Sequence, residues 1–236
     1  MHAVGIVAAA GSGLRLGADL PKALVPLAGR PLVCWAVDAL RAGGVAEVVV
    51  AVLPAERAAF AEVLPDVRLV DGGASRTASV RAALDEATAS ADVVLVHDAA
   101  RPLTPPDVVR RVLAALAAGD PAVVPVLPAV DTTVVVDEAG VVTETLPRAA
   151  LRRVQTPQGF DRRTLADAYA ALGADADLTD DAAVVRAAGI PVVTVEGDER
   201  AAKVTVPHDL ATAELTARTT GERGQYGVEP WDEVLR

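Results

Sequence analysis

Short apolar runs alternate along the chain with longer segments in which apolar residues recur every three or four positions. The runs are rich in valine and alanine, which is typical of parallel strands covered on both faces. They predict six strands: Ala3–Ala9, Glu47–Leu53, Val67–Val70, Val93–Val96, Ala122–Val126 and Pro191–Val195. The segments between them predict helices: Pro31–Ala42, Ala55–Val63, Arg76–Ala89, Pro105–Ala118, Arg162–Leu172, Asp181–Ala188 and Pro207–Ala217. The alternation predicts an α/β fold with a Rossmann-like, doubly wound, mostly parallel sheet.

One segment departs from this alternation. Thr132–Val136 and Val141–Leu146 are short β-branched runs, and the four residues between them end in a glycine, which is typical of a β-hairpin. An inserted hairpin has open strand edges that need a cover. The residues alone leave two interpretations: an arm at about residues 131–148 that pairs with a second subunit, or an ordinary surface hairpin.

Composition narrows the class of protein. The 236 residues suit one α/β domain, and we expect it to span residues 1–217, followed by a glycine-containing tail at 218–236. The chain is 52% hydrophobic and only 3% aromatic, which predicts a core of alanine, valine and leucine. A formal net charge of −10 argues against broad binding to nucleic acid or to an anionic membrane. The single cysteine, Cys34, excludes an internal disulfide. No signal peptide or membrane-spanning run is visible, which predicts a cytoplasmic protein.

The candidate chemistry begins directly after the first predicted strand. Small residues occupy nearly all of the stretch 8–13, and Arg15 and then Lys22, which follows Pro21, supply two cations. Such a loop exposes N–H groups that suit a polyphosphate. The two best-known phosphate loops do not fit, because Gly17 comes one residue late for the dinucleotide fingerprint and no Gly-Lys-Ser/Thr triplet exists. An ordinary strand–helix turn with solvated cations is the alternative.

Three further junctions carry polar residues. Asp98 and Arg101 follow a predicted buried strand, where open α/β sheets bind ligands. A carboxylate there suits Mg²⁺, which prefers one or two carboxylates plus phosphate oxygens. The alternative is that Asp98 is only a helix cap or a turn residue. The glycines and hydroxyls of residues 72–79 suit a sugar or base edge, with helix capping by Ser75 as the alternative. Lys203 lies in an apolar run, read as a strand, and should have an anionic partner.

Six motifs occur together in a fixed order. They are Gly11-x-Gly13-x-Arg15-Leu16 with Pro21-Lys22, Gly72-Gly73-x-x-Arg76-x-x-Ser79-Val80, His97-Asp98-Ala99-Ala100-Arg101-Pro102, Gln155-Thr156-Pro157-Gln158, Leu178-Thr179-Asp180-Asp181 and Lys203-Val204-Thr205. In order and spacing this set resembles the 2-C-methyl-D-erythritol 4-phosphate cytidylyltransferases of the non-mevalonate isoprenoid pathway, which belong to the nucleotide-diphospho-sugar transferase-like superfamily. The resemblance covers residues 4–217.

The resemblance implies a role for each matching residue. The residues implied in binding CTP are Ala8, Ala9, Ala10, Gly11, Ser12, Gly13, Gly72, Gly73, Ala74, Ser79, Asp98 and Ala99. The implied catalytic cations are Arg15, Lys22 and Lys203, and Asp98 is the implied ligand of Mg²⁺ or another divalent cation. The residues implied in binding the acceptor are Arg101, Thr132, Arg148, Thr156 and Thr179. The resemblance also implies a homodimer whose arm carries Thr132, Arg148 and Thr156 into the neighbouring site.

The implied reaction joins CTP to 2-C-methyl-D-erythritol 4-phosphate and releases pyrophosphate. A phosphate monoester has a second pKa of about 6, so the nucleophile is ionised near neutral pH and needs no general base. Two alternatives stay open from one sequence. One is cytidylyl transfer to another polyol phosphate, such as ribitol 5-phosphate. The other is a non-catalytic, nucleotide-binding regulatory module.

Overall fold

An eight-stranded mixed sheet forms the centre of the chain in a computed structural model that describes residues 1–11, 16, 20–86, 91–172 and 178–219. The strands in chain order are β1 (Ala3–Ala8), β2 (Pro26–Leu27), β3 (Arg30–Pro31), β4 (Glu47–Val52), β5 (Arg68–Asp71), β6 (Val93–Asp98), β7 (Ala122–Pro128), β8 (Val134–Val136), β9 (Val142–Thr145), β10 (Arg152–Val154), β11 (Gln158–Asp161) and β12 (Val193–Glu196). The helices are α1 (Leu32–Ala42), α2 (Arg57–Val63), α3 (Arg76–Glu86), α4 (Pro106–Ala117), α5 (Arg162–Ala171), α6 (Asp181–Ala187) and α7 (Pro207–Thr219).

The centre of the main sheet is parallel, as the apolar runs predict. Its strand order is β10-β7-β11-β6-β1-β4-β5, and β12 also pairs with β7. The strands β6, β1, β4 and β5 run parallel to one another. β4, the next strand of the main sheet along the chain, pairs with one edge of β1, and β6 pairs with the other edge. The direction in which strands are added to the sheet therefore reverses at β1. The predicted doubly wound α/β fold is confirmed.

Helices cover both faces of the sheet. One core cluster joins the sheet to α1, α2 and α4, and a second joins it to α3, α5 and α6. Alternate residues of β1 enter different clusters: Val7 packs in the first, and Val4 and Ile6 pack in the second. A strand whose two faces are both buried reads as a continuous apolar run, which is why the central strands are visible in the sequence.

Two strands of the main sheet are not predicted by the pattern of apolar runs. β10 and β11 are short and carry polar or charged residues, so they show no apolar run. β11 lies antiparallel between β6 and β7. Helix α4 packs directly on Gly159 of β11, since a Cβ there would lie 2.4 Å from Val112 Cγ1. Close helix packing therefore selects glycine at a position where a strand pattern favours a β-branched residue.

The predicted hairpin is present, and it is separate from the main sheet. β8 and β9 pair antiparallel with each other and form a two-stranded sheet of their own. All residues of both strands are exposed, including Val135 and Val142. Asp137 shapes the turn, because its side chain accepts hydrogen bonds from the N–H groups of Ala139 and Val141. The hairpin's role as a subunit arm remains a prediction.

The remaining sequence predictions differ from the structure mainly at element ends. Cys34 is buried in α1, as its apolar surroundings predict. Helix α7 continues to Thr219, two residues beyond its predicted end, and the rest of the predicted tail, residues 220–236, lies outside the described residues. Within the described ranges, no helix combines the length and the apolar composition needed to cross a bilayer.

Candidate active site

A cavity of about 630 Å³ opens at the carboxyl ends of the parallel strands. This volume falls in the range typical of small-molecule sites, and the position beside β1 is the point where the winding of the sheet reverses. Ala8, the last residue of β1, lies opposite Asp98, the last residue of β6. The sheet therefore places the small-residue loop and the carboxylate side by side.

Most of the sequence-predicted CTP and catalytic residues within the described chain line this one cavity. Those that do are Ala8, Ala9, Ala10, Gly11, Lys22, Gly73, Ala74, Ser79, Asp98, Ala99 and Lys203. The chain contains two lysines in 236 residues, Lys22 and Lys203, and both are in this set. Three other predicted residues, Ser12, Gly13 and Arg15, lie outside the described residues.

Hydroxyl groups shape the turn between β5 and α3. The Ser79 hydroxyl accepts a hydrogen bond from the Gly73 N–H at 3.1 Å and donates to the Ser75 carbonyl at 2.8 Å. Gly72 lies against the same hydroxyl, since a Cβ there would be 2.8 Å from Ser79 Oγ. Ser75 also accepts from the Ala78 N–H, which confirms that it caps α3. The turn thus presents Gly73 and Ala74 to the cavity with a fixed backbone.

Asp98 is the electrostatic centre of the site. Its carboxylate accepts a hydrogen bond from Lys203 Nζ at 2.8 Å and one from Arg76 Nε at 3.2 Å, and Arg101 Nε lies 3.9 Å away. Burial alone raises the pKa of a carboxyl group, but the three cations outweigh it and hold the pKa of Asp98 well below its ordinary value. Asp98 is therefore an anion at physiological pH, and it is the anionic partner predicted for Lys203.

Lys203 reaches Asp98 from an irregular segment. The prediction that it lies in a strand is wrong, because residues 202–205 form no strand. The segment is held instead by the loop after β6: the Val204 N–H donates to the Ala100 carbonyl at 2.8 Å, and Arg101 Nη1 donates to the Ala201 carbonyl at 2.7 Å. These two hydrogen bonds bring groups about a hundred residues apart into one site.

Lys22 is placed by a short helical turn and a small apolar cluster. Lys22–Leu24 form one 3₁₀ turn directly after Pro21. The residues that follow, Val25 and Leu27, are buried in a third cluster that also contains Leu16, Leu32, Trp35, Leu103, Val204 and Ala217. This cluster joins the Lys22 segment, the loop after β6, the Lys203 segment and α7. The segments that carry the two lysines therefore share one apolar support.

Sequence reasoning missed one charged residue that lines the cavity, and a carboxylate and a phenol that lie behind it. Arg76 lines the cavity, and its Nη1 lies 2.7 Å from the Asp181 carboxylate in addition to its contact with Asp98. Asp181 is completely buried and accepts a hydrogen bond from Tyr169 Oη at 2.6 Å. One signal was present: a helix N-terminus disfavours a cation, so an arginine at the start of α3 indicates a specific partner.

Thr156 does not lie on the arm, and the expectation that the arm carries it is wrong. It lies between β10 and β11, which pair with the main sheet, and it is buried behind Asp98. Its hydroxyl accepts a hydrogen bond from the Asp98 N–H at 3.1 Å and lies 2.8 Å from His97 Nδ1. Burial lowers the pKa of His97 to about 4, so this imidazole is neutral at physiological pH.

The other predicted acceptor residues do not line the cavity in this chain. Arg101 lies behind Asp98, and its guanidinium donates to the Ala201 and Val154 carbonyls. Thr179 precedes α6 and is exposed. Thr132 and Arg148 flank the hairpin and are exposed, with Arg148 Nη1 donating to the Val130 carbonyl. Their roles in binding an acceptor remain predictions.

The donor set at the cavity suits a divalent cation that arrives with a polyphosphate. Among the described residues, no group of three or more His, Cys, Asp and Glu side chains could hold a metal by itself. Asp98 supplies one carboxylate at the cavity wall. One carboxylate completed by phosphate oxygens is a usual environment for Mg²⁺.

The fold and the site together define a class of protein. A doubly wound sheet that presents a small-residue loop, two lysines and one carboxylate at its reversal point is typical of an enzyme that binds a nucleotide.

Comparison with known proteins identifies the family within that class. The sequence profile of 2-C-methyl-D-erythritol 4-phosphate cytidylyltransferase matches residues 3–219. The enzyme of that name from Nocardia farcinica is 54% identical over 215 residues, covering 89% of this chain and 92% of the relative. The one from Saccharopolyspora erythraea is 53% identical over 222 residues, covering 91% and 98%. The crystal structure of the Thermus thermophilus enzyme superposes with a TM-score of 0.76 at 39% identity, covering 91% of this chain and 98% of that one.

The chain belongs to the 2-C-methyl-D-erythritol 4-phosphate cytidylyltransferase family. This confirms the family and the enzyme class predicted from the six motifs. It also decides against a non-catalytic regulatory module.

We expect Thr156→Val to destabilise the protein, because it keeps the side-chain shape but leaves the buried Asp98 N–H without an acceptor. The free energy of unfolding should fall by about 1–3 kcal/mol, measured by urea denaturation. Thr156→Ser, which retains the hydroxyl, is the matched control, and its free energy of unfolding should fall by less. A Thr156→Val variant as stable as wild type would contradict the position of Thr156 behind Asp98.

Proposed function

We propose that this chain transfers the cytidylyl group of CTP to 2-C-methyl-D-erythritol 4-phosphate in isoprenoid biosynthesis, using a divalent cation and working as a homodimer. One observation carries the proposal. In a chain of this family, the small-residue loop, both lysines and the buried Asp98 converge on a single cavity.

The triphosphate is proposed to lie against the loop that follows β1. Residues 8–11 line the cavity, and Lys22 supplies a positive charge to the same cavity. Ser12, Gly13 and Arg15 continue this loop in the sequence, and we assign them to the same phosphates on the family resemblance. The cytidine is proposed to lie against the fixed turn of Gly73, Ala74 and Ser79.

The acceptor is proposed to approach from the side of Lys203. A phosphate oxygen of the acceptor attacks the α-phosphorus of CTP, a new P–O bond forms, and the bond to the departing pyrophosphate breaks. Because the acceptor phosphate is already ionised near neutral pH, no residue has to remove a proton. His97 is buried and neutral, and it does not line the cavity, which supports a mechanism without a general base. Catalysis then depends on positioning and on neutralising charge.

A divalent cation, Mg²⁺ in the simplest case, is proposed to accompany the triphosphate. Asp98 would hold it together with phosphate oxygens, and the ion would supply charge neutralisation at the reacting phosphates. Lys203 and Arg76 both contact the same carboxylate. They fix the orientation of Asp98 before any ligand binds.

A second copy of the chain is proposed to complete the acceptor site. The hairpin exposes a group of valines, of which Val134, Val135, Val136, Val141 and Val142 are each at least 40% exposed. Apolar strands without a cover favour a protein partner. Thr132 and Arg148 at the base of this arm would then reach the neighbouring cavity. We also propose a cytoplasmic location, since both substrates are anionic, water-soluble metabolites.

Lys22→Ala should lower the rate of pyrophosphate release from CTP and methylerythritol phosphate by about 10²–10³-fold, because it removes a charge aimed at the phosphates. Arg163→Ala, which removes an exposed cation on α5, is the matched control and should leave the rate unchanged. A Lys22→Ala variant that releases pyrophosphate at a rate within threefold of wild type would contradict the catalytic role assigned to Lys22. The same assay with ribitol 5-phosphate tests the acceptor, and release with ribitol 5-phosphate alone would reject methylerythritol phosphate.

Val135→Glu should separate the subunits, since it places a charge in the middle of the arm's apolar strand. Sedimentation should show a halved mass, and the KM for the acceptor should rise by at least about tenfold because the site lacks its neighbour's residues. Leu215→Glu, on the exposed face of α7, is the control and should keep the mass of wild type. A Val135→Glu protein that keeps its mass would reject the arm as the subunit contact.

A further inference from the structure

A continuous series of contacts leads from the cavity wall into the protein interior. Arg76 Nε donates to Asp98 Oδ1 at 3.2 Å, and Arg76 Nη1 lies 2.7 Å from Asp181 Oδ2. The other oxygen of Asp181 accepts a 2.6 Å hydrogen bond from Tyr169 Oη. The series joins the start of α3, the end of β6, the start of α6 and the last turn of α5.

The inner end of this series does not belong to the substrate cavity. Arg76 and Asp98 line the cavity, whereas Asp181 and Tyr169 do not. Asp181 is 0% exposed and Tyr169 is 3% exposed, so neither can touch a substrate. Burying a carboxylate is costly unless it is paired and hydrogen-bonded. Asp181 therefore needs both Arg76 and Tyr169, and it holds the guanidinium of Arg76 from behind.

The geometry uses a property specific to arginine. A planar guanidinium can donate in two fixed directions at once, whereas the ammonium of a lysine is a single point of charge. Arg76 uses different nitrogen atoms for its two carboxylates. Burial would lower the pKa of Arg76, but Asp181 and Asp98 outweigh it and keep the group charged.

We propose that Arg76 is a positioning residue for cytidylyl transfer, and that the buried Asp181–Tyr169 pair fixes Arg76 and through it the carboxylate of Asp98. The proposal rests on the proposed function. Asp98 in turn holds Lys203, so the orientation of Asp98 depends on a phenol three contacts away and that of Lys203 on the same phenol four contacts away. Tyr169 and Asp181 act through Arg76 and are positioning residues as well.

The proposal predicts that a change at Arg76 lowers kcat but leaves the affinity for CTP nearly unchanged. Arg76→Lys keeps the positive charge at the cavity wall but cannot bridge two carboxylates. We expect kcat for pyrophosphate release to fall by roughly 10–100-fold, the scale typical of a misplaced catalytic group. The Kd for CTP, measured by calorimetry without acceptor, should stay within about threefold of wild type, since the loop and Lys22 are unchanged.

Tyr169→Phe tests the inner end without altering any charge. It removes the hydroxyl that orients Asp181 and keeps the ring in the core, so the variant should fold even if Arg76→Lys does not. We expect kcat to fall by at least about threefold at an unchanged Kd for CTP. If Tyr169 acts through Arg76, the double variant Arg76→Lys/Tyr169→Phe should be within about twofold of Arg76→Lys alone, because the two positions are coupled.

The control variant makes the same Arg→Lys change at a different ion pair of the same helix. Arg68 of β5 pairs with Glu86 at the far end of α3 at the protein surface. Arg68→Lys should keep the wild-type kcat, and its effect should combine additively with Tyr169→Phe.

Three results would overturn the proposal: both single variants retain kcat within twofold of wild type, the double variant falls by the product of the single effects, or the affinity for CTP falls in step with kcat. Wild-type protein that releases no pyrophosphate from CTP and methylerythritol phosphate would instead reject the proposed function itself.

Discussion

The pairing of Asp98 with three cations is the interaction on which the site depends. A carboxylate at the end of a central strand, with little exposure to water, is stable as an anion only if positive charges replace its hydration. Arg76, Lys203 and Arg101 supply those charges from three different parts of the chain. In the proposed mechanism the same arrangement would serve catalysis, because it concentrates cations where a triphosphate and a phosphate monoester must meet despite their mutual repulsion.

The fold explains how such distant residues come together. The sheet reverses its winding beside β1, which brings the carboxyl ends of β1 and β6 into register, with Ala8 opposite Asp98. Hydrogen bonds between the loop after β6 and residues 201–204 bring in Lys203. The third apolar cluster then holds the Lys22 and Lys203 segments against α7. A site with an overall positive lining therefore exists in a protein whose net charge is −10.

Much of the fold and of the candidate site could be predicted from the sequence, and there are physical reasons why some features were predictable and others were not. The central strands were predictable because burial on both faces makes them continuously apolar, and the site could be located because polar residues follow those strands. β11 was not predictable, because close packing of a helix requires glycine at position 159, where the usual strand preference is for a β-branched residue. Thr156 was wrongly expected on the arm because β10, which returns the chain to the main sheet just before Thr156, shows no apolar run. Asp181 and Tyr169 were missed because their partner, Arg76, becomes apparent only when α3, α5 and α6 are placed on one face of the sheet.

The importance of the Asp98 carboxylate can be measured directly. Asp98→Asn keeps the size of the side chain but removes the negative charge that orients Lys203 and Arg76. The rate of pyrophosphate release from CTP and methylerythritol phosphate, compared at saturating substrates with wild type, should fall by at least about 10²-fold, while circular dichroism shows a folded protein. A folded Asp98→Asn variant with a rate within threefold of wild type would contradict the central place of this carboxylate.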